Sequence, residues 1–203
     1  IGELAACPRG MLEELMGKLG GQLHDYANGL DREPVRSRHE PERVKSIGNG
    51  ITFPKNLTTQ AQVTAGIGLL ADSVASRLRR AELYAGGVHA AIRDPAFHDR
   101  SRQRQLVSPT RLIRDISAAA LELVGELWRP PSPIRALTVT AISLMPEEEA
   151  YEQTDLFTAG EVPNSKRQER LEAAMDGIRR KYGGGSIAFG TAKPEETGSS
   201  FQK

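Results

Sequence analysis

Three arginines at alternate positions, Arg100, Arg102 and Arg104, form the strongest chemical pattern in this sequence. In an extended chain alternate side chains share one side, so the spacing lines up three guanidinium groups, a device suited to a polyanion such as a phosphodiester backbone. A second pattern, Lys45-Ser46-Ile47-Gly48, places a cation, a hydroxyl and unobstructed backbone together. Glycine inside a β-rich run marks a bulge or a point of close approach, and small donors beside a lysine suit contacts that position phosphates. Lys18, between Gly17 and Gly20-Gly21, is a further phosphate candidate. Glycines expose backbone N–H groups there, and a helix N-terminus adds partial positive charge.

Other chemistries lack their residues. The single cysteine, Cys7, rules out an intramolecular disulfide and a cysteine-based metal site, and points to a reduced, intracellular setting. His24, His39, His89 and His98 fall on different elements with no metal-ligand spacing. There is no phosphate-binding glycine loop of the Walker type and no G-x-S-x-G elbow. Glu147-Glu148-Glu149 reads as a solvated charge run, since consecutive carboxylates do not converge on one ion. No apolar run reaches transmembrane length, so no membrane partner is expected. Aromatic residues make up only 5% of the chain, which argues against a base-stacking platform as the main device. Near the end, Gln153-Thr154-Asp155-Leu156-Phe157 sets two adjacent apolar anchors, Leu156 and Phe157, beside an amide, Gln153, that fixes register. With polar flanks on both sides, this is the pattern of a peptide that inserts into a hydrophobic pocket.

The elements that must position these residues follow from periodicity. The net charge of +1 conceals a basic middle: residues 44–145 hold thirteen Lys/Arg against seven Asp/Glu, while both flanks are net acidic. Val44–Phe53 reads as a first strand. Val63, Ile67, Leu70, Val74 and Leu78 form a helical stripe from Thr59 to about Tyr84, capped by Thr58 or Thr59 and ended by Gly86-Gly87. Val88–Arg93 and Arg100–Val107 read as strands. Ser108-Pro109-Thr110 reads as a helix start, followed by a stripe of Leu112, Ile116, Ala119, Leu123 and Leu127. Ile134–Leu144 closes as a fourth strand. The expected fold is α+β: β-α-β-β-α-β, a four-stranded sheet with two helices on one face, preceded by a small all-α segment. The other sheet face is then open to solvent or a partner, and the arginine row is expected on it.

Lys45-Ser46-Ile47-Gly48 resembles the strand that opens the little-finger domain of Y-family translesion DNA polymerases, and the Arg-x-Arg strand extends the resemblance. In that family such a strand meets template-strand phosphates. The resemblance therefore implies this role for Arg102 and Arg104, with Arg100 as a flank, and backbone contacts for Lys45, Ser46 and Gly48. Residues 1–34 resemble part of a helical thumb, with Lys18 as its phosphate candidate. Residues 35–43 resemble a tether, 44–145 the little finger, and 146–203 a C-terminal extension with a short helix. Gln153, Leu156 and Phe157 match the bacterial sliding-clamp-binding pattern Gln-x-x-Leu-Phe, with Thr154 where leucine is common.

The resemblance implies a bacterial, cytoplasmic DNA-repair protein acting in translesion synthesis and the SOS response, whose partners are primer-template DNA and the sliding clamp. It places Mg2+ and the polymerising carboxylates in a palm that precedes residue 1, so this stretch is expected to hold DNA, carry no cofactor and catalyse nothing itself. Two alternatives stay open. One is a catalytically inactive Y-family-like adaptor bridging the clamp and another polymerase. The other is a stand-alone ferredoxin-like nucleic-acid-binding module, against which the scarcity of strand aromatics (Phe53 alone) speaks.

Overall fold

The computed structural model describes residues 1–32, 34, 44–150 and 163–188. The chain divides into two units, Ile1–Arg43 and Val44–Lys203.

In the first unit, three helices follow in sequence: α1 (Gly2–Ala6), α2 (Arg9–Met16) and α3 (Lys18–Ala27). Pro8 separates the first two, with Cys7 before it held extended at φ −70°, ψ 136°, as the residue preceding a proline prefers. The break between α2 and α3 is Gly17 alone, at φ 63°. Gly20 and Gly21 lie inside α3. Their role is close packing: a Cβ at Gly20 would sit 2.0 Å from the Leu12 carbonyl oxygen of α2. Arg9 ties the pair, donating to Glu13 at 2.8 Å and to Asp25 at 2.9 Å.

The second unit runs β1 (Ser46–Leu57), α4 (Gln60–Arg80), β2 (Leu83–Arg93), β3 (Asp99–Thr110), α5 (Ile113–Leu127), β4 (Ile134–Pro146) and α6 (Pro163–Tyr182), with a short 3-10 turn at Glu147–Glu149. The α+β architecture expected from the sequence is the one observed. The sheet order is β1-β4-β2-β3 with every neighbouring pair antiparallel, so β1 and β2 run the same way with β4 between them. Thr59 caps α4 in a reciprocal box with Gln62. The predicted stripe of Val63, Ile67, Leu70, Val74 and Leu78 is fully buried, and meets Ile116, Leu123, Phe53, Val88, Ile134 and Leu137 in one core.

Two boundaries differ from the periodicity. Helix α4 stops at Arg80, and Glu82 at φ 57° turns the chain into β2. Gly86-Gly87 therefore lies within a strand, where the β2–β3 register slips. Ser108-Pro109-Thr110 ends β3 rather than starting a helix, since an edge strand tolerates proline. The Thr110 hydroxyl accepts the Leu112 N–H at 3.1 Å and donates to Asp115 at 2.8 Å, which delays α5 to Ile113.

Helix α6 docks on the same unit through ion pairs. Arg79 of α4, 8% exposed, meets Glu172 at 2.5 Å and Asp176 at 2.7 Å. Arg179 meets Asp72 at 2.8 Å. Arg111, its guanidinium 4.3 Å above the Tyr84 ring, reaches Glu169 at 3.0 Å and Glu147 at 3.6 Å. Glu172, only 1% exposed, also accepts the Ile113 N–H at 3.2 Å, supplying the cap that the first turn of α5 lacks on its own chain segment. Burial pushes the Glu172 carboxyl above the usual glutamate range, with Arg79 and the Ile113 N–H opposing that rise.

Candidate nucleic-acid interface

The strand register fixes which side chains share a face. On one side, Ile51-Leu137-Ile92, Asn49-Val139-Ala90 and Ile47-Ala141-Val88 form three cross-strand rows beneath the helices. These rows continue into β3 as Arg100, Arg102 and Arg104. The arginine row thus lies on the helix-covered side of the sheet, which corrects its expected place on the open face. Alternation shows that the three share a side but not which side. What allows them there is the edge: β3 lies beside α5, so the core rows end in solvent-facing guanidiniums. Arg102 is 57% exposed and pairs with Glu126 of α5 at 3.3 Å. Arg104, 42% exposed, pairs with Glu122, and Arg100 donates to the Leu127 carbonyl at 3.1 Å.

The open face carries the alternate rows, Gly48-Thr140-His89-Gln103 and Gly50-Thr138-Ala91-Ser101. Small and polar side chains dominate these rows, with His89 their one ionisable group. The glycines of β1 belong to these rows: a Cβ at Gly48 would lie 2.5 Å from Thr140 Oγ1. The close approach expected at Gly48 is therefore filled by a neighbouring strand of the same sheet. Its carbonyl is also engaged, accepting from Arg77 of α4 at 2.5 Å. Next to it, Asn49 donates to Ser73 at 3.0 Å, so α4 fastens this edge. Lys45 and Ser46 are exposed at the entry to β1, at the end of the sheet where Ser46 pairs with Ile142. Lys18 is exposed as the first residue of α3, and belongs to the other unit.

The structure thus brings Arg100, Arg102 and Arg104 together and leaves Lys45, Ser46 and Gly48 on the opposite edge strand, with β4 and β2 between it and β3 in the sheet order. Gln153, Leu156 and Phe157 lie outside the described residues. Glu122 and Glu126 were missed as partners of the arginines. Their signal was present: they stand one helical turn apart, each just ahead of an apolar stripe residue, Leu123 and Leu127. The carboxylates Glu169, Glu172 and Asp176 were missed likewise, although their three- and four-residue spacing gathers them on one side of α6. Among the described residues, no group of three or more His, Cys, Asp or Glu could hold a metal ion, and no helix is long and apolar enough to cross a membrane.

Residues 44–156 match the family model described as the impB/mucB/samB family C-terminal domain. The chain is similar to DNA polymerase IV 1 of Bacillus subtilis, 34% identical over 210 residues, covering 100% of this chain and 49% of that protein. It is 32% identical to DNA polymerase IV of Clostridium kluyveri over 195 residues, 94% of this chain and 48% of the relative. With DNA polymerase IV of Moorella thermoacetica it shares 36% identity over 183 residues, 90% and 44% of the two chains. The chain thus spans about half the length of the curated relatives it matches. On the fold, the register and these similarities together, the chain belongs to the impB/mucB/samB family and is a Y-family, DNA polymerase IV-like sequence.

Proposed function

We propose that residues 44–145 are the DNA-holding domain of a translesion DNA polymerase of the DNA polymerase IV type, and that the β3 edge tracks the phosphates of one strand. The observation that carries this reading is the arginine row. Side chains two apart on a strand recur every roughly 6.8 Å, so three guanidiniums span about 14 Å, enough to follow several phosphates. Arg102 and Arg104 are at present paired with exposed glutamates and Arg100 with the Leu127 carbonyl, and exposed ion pairs of this kind contribute about 0–1 kcal/mol. Charge-assisted contacts to phosphate are stronger, so DNA can take the arginines from α5 without unfolding anything. The open face, dominated by small side chains, supplies room for a duplex beside that edge, and Lys45, Ser46 and Gly48 supply further contacts; Lys18 is a separate phosphate candidate on the first unit. Sequence preference should be slight, because phosphate contacts position a protein without reading bases.

The test is a fluorescence anisotropy titration of primer-template DNA. Replacing Arg102 and Arg104 by alanine should weaken binding about tenfold or more, on the order of 1–2 kcal/mol. The slope of log affinity against log salt should fall by about one for each phosphate that is no longer neutralised. Equal affinity for parent and variant would refute the edge assignment.

We further propose that Gln153, Leu156 and Phe157 bind the bacterial sliding clamp, tethering a weak DNA binder near primer ends and raising its effective concentration. Support comes from the pentapeptide pattern and from its setting. Arg111 reaches Glu147 ahead of the segment and Glu169 after it, so described elements anchor the chain on both sides. Calorimetric titration against the clamp should lose its signal in Leu156→Ala/Phe157→Ala. Unchanged binding would remove the peptide from the account and leave the DNA reading standing.

A further inference from the structure

The hairpin joining β2 to β3 holds an aromatic side chain out in solvent at a cost in backbone conformation. Phe97 is 75% exposed and sits at φ 66°, a region that bulky residues rarely enter. The turn around it is fixed from several directions. The Phe97 N–H donates to the Asp94 carbonyl at 3.1 Å, and the Asp94 N–H to the His98 carbonyl at 3.2 Å. The Asp94 carboxylate accepts the His98 N–H at 3.0 Å and faces its ring nitrogen at 3.1 Å. At the foot of the turn, Arg93 and Asp99 close a two-bond ion pair, both distances 2.7 Å. An exposed ring on a strained backbone that its surroundings over-determine points towards function. Glycine or asparagine at this position would relieve the strain and hide no apolar surface, yet phenylalanine stands there.

We propose that Phe97 stacks on an unpaired base of single-stranded DNA next to the duplex, which rests on the DNA-holding reading above. The location argues for this ligand. Phe97 lies three residues ahead of Arg100, the first guanidinium of the row assigned to phosphates, and the hairpin tip continues the line of that edge. A chain of nucleotides following the arginines brings its next bases to the ring. Bases inside a duplex are already stacked on both faces, so the ring can engage only a nucleotide beyond the paired region. Stacking on an aromatic ring tolerates any base, in keeping with an interface that otherwise meets phosphates. At the base of the hairpin, on the open face, Gly50, Thr52, Ala91, Arg93, Asp99 and Thr138 border a shallow hollow of about 160 Å³.

The experiment compares two DNAs of the same duplex sequence, one blunt and one with a single-stranded template overhang, against the full chain and its Phe97→Gly and Phe97→Trp variants. Anisotropy reports affinity, and 2-aminopurine placed at successive overhang positions reports stacking. Phe97→Gly should lose about tenfold in affinity for the overhang DNA, leave blunt-duplex affinity unchanged, and abolish quenching at one or two adjacent positions. Phe97→Trp should retain all three properties. Because glycine accepts a positive φ, Phe97→Gly should melt no lower than the parent, which separates a missing stacking partner from a damaged fold. Equal losses on both DNAs, or none, would overturn the inference while leaving the DNA-holding reading of the parent chain standing. A parent chain that bound neither DNA would overturn the DNA-holding reading and this inference with it.

Discussion

Two arginine clusters in the second unit use the same chemistry at opposite ends of the burial scale. On α4 and the approach to α5, Arg79 and Arg111 meet the carboxylates of α6, with Arg79 8% and Glu172 1% exposed. On β3, Arg102 and Arg104 meet the glutamates of α5 with all four side chains in solvent. A buried pair whose partner is removed leaves an uncompensated charge, so it behaves as a fixed strut. An exposed pair is screened by water and salt and is exchanged readily. The difference teaches that the ion pairs of this unit divide by burial into those that assemble it and those that leave it free to bind.

The largest expected effect is at the buried cluster. Glu172→Ala leaves Arg79 with Asp176 as its one remaining carboxylate and removes the cap from the Ile113 N–H, so it should destabilise the second unit by about 2–3 kcal/mol, below the full cost of a stranded buried charge. Urea unfolding measures this, and a loss below about 1 kcal/mol would place Glu172 among the exposed pairs. The pH dependence sharpens the point. A carboxyl whose folded pKa lies above its unfolded value holds its proton more tightly when folded. Its favourable contribution is therefore present at low pH and lost as pH rises through the interval above the usual glutamate range. Arg79 opposes that rise, so Arg79→Ala should make stability fall more steeply towards neutral pH than in the parent. A flat profile would mean that water already reaches the pair.

The exposed cluster should behave in the opposite way. The double variant Arg102→Ala/Arg104→Ala loses two ion pairs, yet should unfold within about 1 kcal/mol of the parent. Its defect should appear only in DNA affinity. A stability loss comparable to that of Glu172→Ala would erase the distinction and recast the β3 row as structural.

Much of this was legible beforehand, and the limits have physical reasons. Hydrophobic periodicity located both sheet-packing helices, because their stripes of Val63 to Leu78 and Ile116 to Leu127 have no alternative use. The α+β class followed from the order of elements. The arginine row was legible as a row, but its face was not. A period of two assigns residues to sides, whereas the register that names each side depends on partners in β2 and β4. Gly86-Gly87 and Pro109 misled for one reason: glycine and proline punctuate helices, and strands at bulges and edges accept them too. The docking of α6 was hidden because, apart from the buried Met175, its binding face is made mostly of charged residues. An acidic helix face reads as solvated until the arginines opposite it are placed.

The smallest effect tests whether α5 restrains the β3 arginines. In the free chain Glu126 holds Arg102 at 3.3 Å and Glu122 holds Arg104. Binding DNA means giving up both pairs, so each new bond to phosphate is partly offset by the glutamate pairing it replaces. Glu122→Gln/Glu126→Gln removes that competition while keeping the length of both side chains and a comparable helix propensity. Glu126 also lies in the last turn of α5, where a negative charge opposes the helix dipole, so neutralising it should not weaken the helix. DNA affinity should rise roughly two- to fivefold at low salt, about 0.5–1 kcal/mol, and the increase should shrink as salt screens the original pairs. The decisive comparison is the same double substitution on the Arg102→Ala/Arg104→Ala background. If the glutamates act through these arginines, the increase should vanish there, since coupled residues fail to add. An increase of equal size on both backgrounds would show that the glutamates merely repel DNA at long range, and the exposed pairs would then have no part in gating the interface.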